Sequence, residues 1–567
     1  MKIDIARFDA EADLLVFGAG AGGMTAALTA AAEGLSVILC EKTSLVGGTT
    51  STSGGTTWVP GTSLSQRDGV PDSIDDARAF LDFVVGNRGA GDLREAFLAS
   101  GAAAIDYLEE VSEVRFAAAQ AHPDYLDGPG SAYGGRALVP LEFDARRLGK
   151  DFARVRPPRD VFTGLGGMMV GRNELSALLN PFRSLSNLRT TTRLLTRHFL
   201  DRLKFPRGTR LLMGNALVAR LFYSLRERKV PIWFESGIAG FIRDGERIIG
   251  ALVDTPQGRK NVRARKGVVL ATGGVCWNEE LRGELFPMEV GPVSQAPDTN
   301  TGDGIALARS DLEAGFDDGH DSPALWMPCS FLENNDGSRS IWPHIILDRA
   351  KPGLIAVGPD GRRFVNETAS YHDFCMGMIK AGHAEAWLVV DSRFIGKYGL
   401  GLVLPGKGRL RKLLRSGYLV SAPTLDRLAK AIEVDRANLV ESVERNNRFA
   451  QTGVDEDFGR GTSVMNRFNG DAEIKPNPCL GSIDEGPFYA LKVKPVDLAG
   501  CAGLICDADG RVLDNTNRVI KGLYACGNDA RSIFCGTYPG PGTTIGPAIV
   551  FGWRIARHAA EASRTGA

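Results

Sequence analysis

Three glycines near the N-terminus have the spacing that binds the phosphates of a dinucleotide. Gly18, Gly20 and Gly23 form a Gly-x-Gly-x-x-Gly motif. The first glycine of such a motif permits a tight turn, the second lets the backbone approach a pyrophosphate, and the third lets a helix pack close to a sheet. Glu41 ends the next apolar run and can accept hydrogen bonds from both hydroxyls of an adenosine ribose. Because a 2′-phosphate would repel this carboxylate, the pattern argues against NADP.

The elements that position these residues follow from the hydrophobic pattern. Apolar residues 13–17 lead into the motif, an Ala-rich stretch at 24–33 follows it, and residues 35–40 form a second apolar run. Gly34 is placed to end the intervening helix. The pattern predicts a strand–helix–strand unit in which the helix N-terminus faces the phosphate charge.

Further glycine-rich segments indicate FAD rather than NAD. The loop 47–55 follows Glu41 directly, where two-dinucleotide-binding flavoproteins lay backbone along the flavin. Residues 271–274 and 527–529 resemble the other two contact segments of that class. Because the loop has no histidine, we expect the FAD to be noncovalent. The predicted FAD-binding residues are Gly18, Gly20, Gly22, Gly23, Glu41, Lys42, Gly47, Gly48, Thr49, Thr50, Ser53, Gly54, Gly55, Ala271, Thr272, Gly273, Gly527, Asn528, Asp529, Thr543, Thr544 and Ile545.

The order of the segments predicts the domain organisation. Residues 238–242 and 247–253 flank Arg-Asp-Gly-Glu, which predicts a hairpin, and the apolar runs near 268–272 and 522–527 both end in glycine. Parts of one nucleotide-binding domain therefore lie at both ends of the chain. We predict an α/β fold, with a Rossmann-like FAD-binding domain of the two-dinucleotide-binding type formed by 1–295 and 486–567, and an inserted α+β catalytic domain at 296–485.

Composition excludes several classes of function. Among the 567 residues, Lys+Arg and Asp+Glu are equal at 67 each, which gives no sign of a nucleic-acid partner. The nine cysteines are unpatterned, which argues against a metal site and favours reduced thiols. The N-terminus lacks the apolar stretch of a secretory signal, and no apolar run is long enough to span a membrane. We therefore expect a soluble, cytoplasmic protein.

Taken over nearly the whole chain, this pattern resembles the fumarate reductase/succinate dehydrogenase flavoprotein superfamily. Within it, three separate motifs are similar to the 3-ketosteroid Δ1-dehydrogenases. They are CGTYPGPGTTIGP at 535–547, GRRFVNETASY at 361–371, and HPDY at 122–125 with GGR at 134–136. The resemblance implies an FAD-dependent enzyme of steroid or sterol catabolism that removes a proton from C2 and passes a hydride from C1 to flavin N5.

The resemblance also assigns the catalytic residues. It implies that the Tyr538 hydroxyl and the Gly542 backbone N–H bind the C3 oxygen, as in an oxyanion hole. It implies that Tyr371 is the base that takes the C2 proton. Since the reference pKa of tyrosine is about 10, a neighbour must stabilise the phenolate. Tyr125 is the candidate for that hydrogen-bond donor, and Tyr133 is the alternative.

Two basic segments with interleaved apolar residues, 193–229 and 407–415, have two interpretations. Such stretches can lie on anionic membranes, which would suit a lipophilic substrate and a peripheral location on the inner face of the membrane. They can equally form a solvated helix face, which the sequence slightly favours. The basic residues are Arg193, Arg197, Arg202, Lys204, Arg207, Arg210, Arg220, Arg226, Arg228, Lys229, Lys407, Arg409, Arg411, Lys412 and Arg415.

Other functions remain open at this stage. The chain could be a C4–C5 ketosteroid dehydrogenase, a fumarate-type reductase, or a flavin-bearing binding or electron-transfer protein without turnover of its own. A dicarboxylate reductase needs arginine and histidine to clamp two carboxylates, and the turn between Tyr538 and Gly542 offers neither. A dehydrogenase also needs an external electron acceptor, either a quinone or a protein.

Overall fold

The strands form two large sheets and several short ribbons. A computed structural model describes residues 7–334, 336–345 and 348–564. In chain order the strands are β1 Ala10–Phe17, β2 Val37–Cys40, β3 Thr57–Trp58, β4 Phe116–Ala118, β5 Ala137–Pro140, β6 Phe143–Asp144, β7 Thr163–Gly164, β8 Met168–Met169, β9 Arg210–Leu211, β10 Ile232–Trp233, β11 Gly237–Asp244, β12 Arg247–Thr255, β13 Gly258–Leu270, β14 Phe316–Asp317, β15 Ala324–Glu333, β16 Arg339–Pro343, β17 Leu354–Val357, β18 Ala386–Val390, β19 Val420–Ala422, β20 Phe488–Gly500, β21 Gly503–Leu504, β22 Arg511–Leu513 and β23 Val519–Ala525.

Helices cover the faces of these sheets. In chain order the α-helices are α1 Ala21–Ala32, α2 Gly48–Ser51, α3 Ser63–Arg67, α4 Ile74–Val84, α5 Gly91–Val111, α6 Arg172–Leu179, α7 Leu185–Arg202, α8 Met213–Glu227, α9 Glu279–Leu285, α10 Asp303–Leu312, α11 Tyr371–Lys380, α12 Ser392–Lys397, α13 Leu410–Arg415, α14 Leu425–Ala431, α15 Arg436–Thr452, α16 Val464–Phe468 and α17 Ile545–Arg564. Among the described residues, no helix combines the length and the apolar character needed to cross a membrane.

The first sheet carries the glycine motif. Its strand order is β10-β2-β1-β13-β12-β11, and β23 also pairs with β13. The strands β2, β1, β13 and β23 run parallel to one another. Their carboxyl ends therefore meet at one edge of the sheet, where ligands bind in open α/β sheets. Gly18, Glu41, Ala271 and Cys526 each follow the last residue of one of these strands.

The apolar run of β1 is continuous because both faces of the sheet are covered. Leu14 and Val16 belong to a core formed with α1, α8 and α17. Leu15 and Phe17 point to the opposite face and belong to a second core, formed with the β11–β12 hairpin and α10. All four side chains are almost completely buried. The strand that ends at the glycine motif is thus held from both sides.

The predicted elements of the first sheet are present with small shifts in their ends. The strand, the helix and the second strand of the predicted unit correspond to β1, α1 and β2, and the predicted hairpin is the antiparallel pair β11–β12. Helix α1 begins three residues earlier than predicted because the last glycine of the motif lies inside its first turn. A Cβ on Gly23 would lie 1.9 Å from the carbonyl oxygen of Gly18. The α/β fold class is confirmed.

The second sheet is antiparallel and lies in the inserted part of the chain. Its order is β16-β15-β20-β18-β17, with β19 paired to β20. Strand β20 lies beyond residue 485, where we predicted that the inserted domain ends. Because its backbone hydrogen bonds join β15, β18 and β19, the second sheet continues to Gly500. The division of the chain into domains otherwise stays a prediction.

Candidate active site

A cleft of about 2230 Å³ starts at the carboxyl edge of the first sheet and reaches the second sheet. Its first half is lined by the glycine motif, by the loop after β2 and by the segment after β13. Its second half is lined by residues of β15 and β16, such as Met327 and Ile341, and by tyrosine side chains. We call these the nucleotide half and the tyrosine half of the cleft.

The glycine motif forms a backbone cradle in the nucleotide half. Gly18 has a φ of +103°, and a Cβ there would lie 2.1 Å from the carbonyl oxygen of Ala271. Gly20 precedes α1 without any side-chain cap. The atom nearest to a Cβ on Gly20 is the hydroxyl of Thr50, at 3.9 Å. Since the first N–H groups of a helix lack partners within the helix, this cradle suits the pyrophosphate of FAD.

Glu41 connects the end of β2 to the glycine turn by a side-chain hydrogen bond. One carboxylate oxygen accepts a hydrogen bond from the Ala19 N–H at 2.9 Å, and the other accepts from the N–H and the hydroxyl of Thr43, both at 2.9 Å. Glu41 also lines the cleft, so its carboxylate can accept further hydrogen bonds from a ligand there. The neighbouring Lys42 contacts Asp303 at 2.7 Å, which ties β2 to the start of α10.

Asp529 lies next to the cleft and holds the segment after β13 by hydrogen bonds. Its carboxylate accepts hydrogen bonds from the Thr272 N–H at 2.5 Å and from the Gly274 N–H at 2.9 Å. Burial raises the pKa of this carboxyl, whereas these hydrogen bonds oppose the shift. Asp529 does not line the cleft, so it positions the segment after β13. The other predicted FAD-binding residues that do not line the cleft are Gly23, Gly47 and Thr543, and all the rest line it.

Asn300 is a residue of this half that the sequence analysis missed. Its amide nitrogen lies 3.2 Å from the hydroxyl of Thr49 and 3.1 Å from the carbonyl oxygen of Gly273. It therefore bridges two of the predicted FAD-binding segments, and it lines the cleft. The available signal was the Gly-Asp-Gly sequence at 302–304, which begins two residues after Asn300.

Three tyrosine hydroxyls form a chain in the tyrosine half. The Tyr371 hydroxyl donates to the Tyr538 hydroxyl at 2.7 Å, and the Tyr125 hydroxyl lies 3.3 Å from that of Tyr371. The three rings contact each other edge to face, with centroids 5.2 to 5.5 Å apart. All three line the cleft and belong to one buried apolar cluster. The structure thus brings together residues that are far apart in the sequence.

Each tyrosine is positioned by a different element. Tyr371 is the first residue of α11, which Ser370 caps by accepting from the Asp373 N–H. The backbone N–H of Tyr125 donates to the carbonyl oxygen of Pro539 at 2.7 Å, which fixes Tyr125 beside Tyr538. In contrast, the side chain of Tyr133 is 61% exposed and does not line the cleft. The third hydroxyl in the cluster is therefore that of Tyr125.

Buried ionic contacts hold the two loops that carry Tyr125 and Tyr371. Asp124 accepts from the Trp58 indole N–H at 2.8 Å and from Arg136 at 2.7 Å. Glu367, four residues before Tyr371, accepts from Arg363 at 2.8 Å and from the backbone N–H of β17 at 3.1 Å. Because these groups are fully buried, loss of one partner would leave an uncompensated charge.

Burial makes the tyrosines weak acids. It raises the pKa of Tyr538 to about 12. It also raises the pKa of Tyr371 well above its usual range, and the neighbouring hydroxyls of Tyr125 and Tyr538 add to that shift. A Tyr371 phenolate therefore needs hydrogen bonds or positive charge close to its oxygen.

Gly542 lies where the tyrosine half meets the nucleotide half. Its φ is +100°, and a Cβ there would lie 2.3 Å from the carbonyl oxygen of Thr56. Its own carbonyl accepts from the N–H groups of Trp58 and Gly546. Among the described residues, none accepts a hydrogen bond from the Gly542 N–H, so this donor is available to a ligand in the cleft.

The parallel sheet and its glycine-lined cleft define a flavin-binding fold. The family described as the FAD binding domain matches residues 13–545, so the chain belongs to this flavoprotein family. The predicted cofactor, FAD, is confirmed.

Two similar proteins and one solved structure indicate which group within this flavoprotein family the chain resembles. The chain is 36% identical to a 4-oxocyclohex-2-ene-1-carboxylate 5-dehydrogenase of Sinomonas cyclohexanicum, over 97% of this chain and 94% of that protein. It is 35% identical to a 3-oxosteroid 1-dehydrogenase of Mycolicibacterium smegmatis, over 98% and 99%. A solved 3-ketosteroid Δ1-dehydrogenase of Sterolibacterium denitrificans, in complex with 1,4-androstadiene-3,17-dione, is 35% identical with a TM-score of 0.89, over 97% of this chain and 100% of that chain. The predicted resemblance to the 3-ketosteroid Δ1-dehydrogenases is confirmed.

We expect the FAD to be released when the protein is denatured. The loop at 48–55 contains no histidine that could form a covalent bond to the flavin. Precipitation with acid should therefore leave yellow FAD in the supernatant, which its absorption spectrum and chromatography would identify. Flavin that stays with the precipitate would contradict the prediction.

Proposed function

We propose that this protein catalyses the FAD-dependent 1,2-dehydrogenation of 3-ketosteroids. The observation that carries the proposal is the juxtaposition of three buried tyrosine hydroxyls with the free N–H of Gly542 in an FAD cleft. The relatives support it, because their names describe removal of hydrogen from a cyclic ketone. Two tasks follow for the protein, which are to polarise the ketone and to remove a proton beside it.

Tyr538 and Gly542 polarise the ketone. The Tyr538 hydroxyl and the Gly542 N–H both donate to the C3 oxygen, where negative charge develops as C2 loses its proton. Fixed donors in a site that excludes water stabilise such charge strongly. The turn between them contains Pro539 and Pro541, and fixed φ angles at the two prolines hold the donors in place.

Tyr371 accepts the C2 proton. Its hydroxyl oxygen lies 2.7 Å from that of Tyr538, so the two groups can act on neighbouring atoms of one substrate. Once Tyr538 donates to the ketone, Tyr125 is the hydroxyl left to donate to the phenolate of Tyr371. Tyr371 also begins α11, where the positive end of the helix dipole favours a negative charge.

FAD, when bound, accepts the hydride from C1. The residues that would hold it line the nucleotide half, among them the glycine motif before α1 and the loop 48–55. The dehydrogenation removes two electrons from the steroid, so the reaction would also need an external acceptor, a quinone or a protein.

The direct test is a panel of 3-ketosteroids under anaerobic conditions. Substrate alone should bleach the flavin absorption, and the product should carry a new double bond at C1–C2. A product at C4–C5, reduction of fumarate, or binding without bleaching would each reject the proposal in favour of the corresponding alternative.

A second candidate is dehydrogenation of a smaller ring ketone. The 36% identity to a 4-oxocyclohex-2-ene-1-carboxylate 5-dehydrogenase covers nearly the whole chain. The same donors and the same base would serve such a ketone. Comparison of kcat/KM for this acid and for 4-androstene-3,17-dione decides between the candidates, since the preferred substrate should have the higher value.

We further propose that the cleft opens towards an anionic membrane. Helix α7 and the turn before it expose apolar and basic side chains together, and Phe182 and Leu185 are 88% and 86% exposed. Leu195 of α7 lines the cleft, as do Arg409 and Lys412 of the second basic segment. We call α7 with residues 182–184, together with 407–415, the mouth surface. A lipophilic substrate could pass between a bilayer and the cleft across it.

The predicted basic segment 193–229 needs a correction. Helix α8, which contains residues 213–227, is largely buried against the first sheet. Arg220 on this helix donates to the backbone carbonyls of Leu141, Glu113 and Glu142. Arg193, Arg202 and Lys204 are exposed on and just after α7, and Arg226, Arg228 and Lys229 are exposed at the end of α8, whereas Arg207 and Arg220 are buried.

We expect the protein to co-sediment with phosphatidylglycerol vesicles at low salt and to dissociate at high salt, which screens exposed charges. The double variant Phe182→Asp/Leu185→Asp should lose this binding. Met288→Asp is the matched control, because Met288 is 98% exposed and does not line the cleft. Equal sedimentation with neutral and anionic vesicles, or none at low salt, would leave the solvated-face interpretation.

A further inference from the structure

Arg159 is a guanidinium in the wall of the tyrosine half. It lines the cleft and donates to the backbone carbonyl of Gln295. The Gln295 side-chain amide lies 3.4 Å from the sulfur of Cys329. Cys329 belongs to the same apolar cluster as Tyr371 and Tyr538. Arg159 is therefore one residue removed from the cluster that holds the catalytic hydroxyls.

The charge of Arg159 is not paired with a carboxylate among the residues that the structure describes. No carboxylate of the described residues lies within 4.0 Å of it, and the acidic neighbour in the sequence, Asp160, lines the cleft but is exposed. Burial lowers the pKa of Arg159, yet a guanidinium stays protonated in proteins. Arg159 is half-buried. Because a charge withdrawn from water is costly unless it is paired, this position favours a ligand that supplies an anion.

Arg156, three residues earlier, serves a different part of the cleft. Its backbone N–H donates to the carbonyl of Val46, and its carbonyl accepts from the Ser51 hydroxyl. These contacts place Arg156 beside the FAD-binding loop. Arg156 is therefore suited to binding the cofactor. Arg159, in contrast, lies one residue away from the tyrosine cluster.

The remaining charges of the tyrosine half are also mainly positive. The basic residues that line it are Arg159, Arg207, Arg339, Arg409 and Lys412, against one acid, Asp160. Arg339 is paired with Glu333 at 2.6 Å. Arg409 and Lys412 are exposed at the rim, and neither forms an ion pair with a described residue. The field along this half therefore favours a negatively charged substrate.

We propose that the preferred substrate is a 3-ketosteroid whose side chain ends in a carboxylate, and that Arg159 binds that carboxylate. The inference rests on the proposed function, since it assumes that the ketone end of the steroid is held by Tyr538 and Gly542. The planar guanidinium can donate two parallel hydrogen bonds to a carboxylate. The exposed cations at the rim would draw the anion towards the cleft.

The test compares 3-oxochol-4-en-24-oic acid with its methyl ester, which has the same rings and side chain without the charge. In the parent enzyme, kcat/KM for the acid should exceed that for the ester by about tenfold or more, as expected for a hydrogen bond between charged groups. Arg159→Gln should bring this ratio to about one, and Arg159→Lys should keep part of it. Arg259→Gln is the matched control, because Arg259 is an exposed arginine paired with Asp254 outside the cleft.

The outcomes separate this inference from the proposed function. Oxidation of the ester by the parent enzyme reports the proposed function alone, and if neither compound is oxidised the proposed function fails first. An acid/ester ratio near one in the parent, or a ratio unchanged in Arg159→Gln, overturns the role of Arg159. FAD content is measured in every variant, and loss of FAD from Arg159→Gln would show instead that the guanidinium serves the cofactor.

Discussion

Replacing Tyr371 by phenylalanine should lower kcat/KM for a 3-ketosteroid by on the order of 10²–10⁴-fold, the usual effect of losing a general base. The ring stays in the apolar cluster, so only the hydroxyl that contacts Tyr538 at 2.7 Å is lost. Steroid binding should change little, because the Tyr538 hydroxyl and the Gly542 N–H still hold the ketone. Steady-state rates and binding titrations measure the two effects separately.

Hydrogen exchange at C2 assigns the base independently of hydride transfer. The enzyme is reduced anaerobically, so that it cannot accept a hydride, and is incubated with the ketosteroid in deuterated water. The parent should exchange C2 hydrogen, and Tyr371→Phe should not. Tyr538→Phe should weaken both exchange and binding, because its hydrogen bond to the ketone is also made in the ground state. Exchange by Tyr371→Phe at the parental rate would rule out Tyr371 as the base.

The pH profile gives a second signature of the same residue. Because burial raises the pKa of Tyr371, the base is protonated at neutral pH, and kcat/KM should rise as the pH increases from about 7 towards 10. The residual activity of Tyr371→Phe should lack this rise. Tyr133→Phe is the matched control, since Tyr133 is exposed and outside the cleft, and its profile should match that of the parent.

The sequence was sufficient for the nucleotide half because its signals are local. The spacing of Gly18, Gly20 and Gly23, with Glu41 after the next strand, implies one backbone geometry, and the structure has it. Asp529 was predicted as an FAD-binding residue because its segment resembles a contact strand. Its position behind the cleft depends on a long-range contact with Thr272, which no local pattern encodes.

The tyrosine half could not be derived from local patterns. Tyr371 and Tyr538 are 167 positions apart, and their roles came from the resemblance to a family. The choice between Tyr125 and Tyr133 depends on the contact of the Tyr125 backbone with Pro539. Arg159 had no sequence signal at all, because an arginine between prolines and an acid is usually an exposed loop residue. Its significance comes from its partial burial and from the lack of a pairing carboxylate among the described residues.

Replacing Gly542 by alanine should also lower activity strongly. The φ of +100° is unfavourable for any residue with a Cβ, and the new methyl group would lie 2.3 Å from the Thr56 carbonyl oxygen. Since the contact joins a Cβ, which has no rotamer, to a backbone oxygen, the strain cannot be relieved by a change of rotamer. The Gly542 N–H must move away from the ketone position, or Thr56 must move in the wall of the cleft.

We therefore expect Gly542→Ala to lower kcat/KM by on the order of 10²–10³-fold, as for loss of one oxyanion donor, with activity expressed per bound FAD. Gly245→Ala is the matched control. Gly245 also has a positive φ, of +57°, but no atom lies within 4 Å of the position of a Cβ there. This control should cost about 1 kcal/mol of backbone strain and leave turnover unchanged. Thermal melting detects a general loss of fold in either variant. Near-parental turnover by a folded Gly542→Ala enzyme that retains FAD would show that the Gly542 N–H does not bind the ketone.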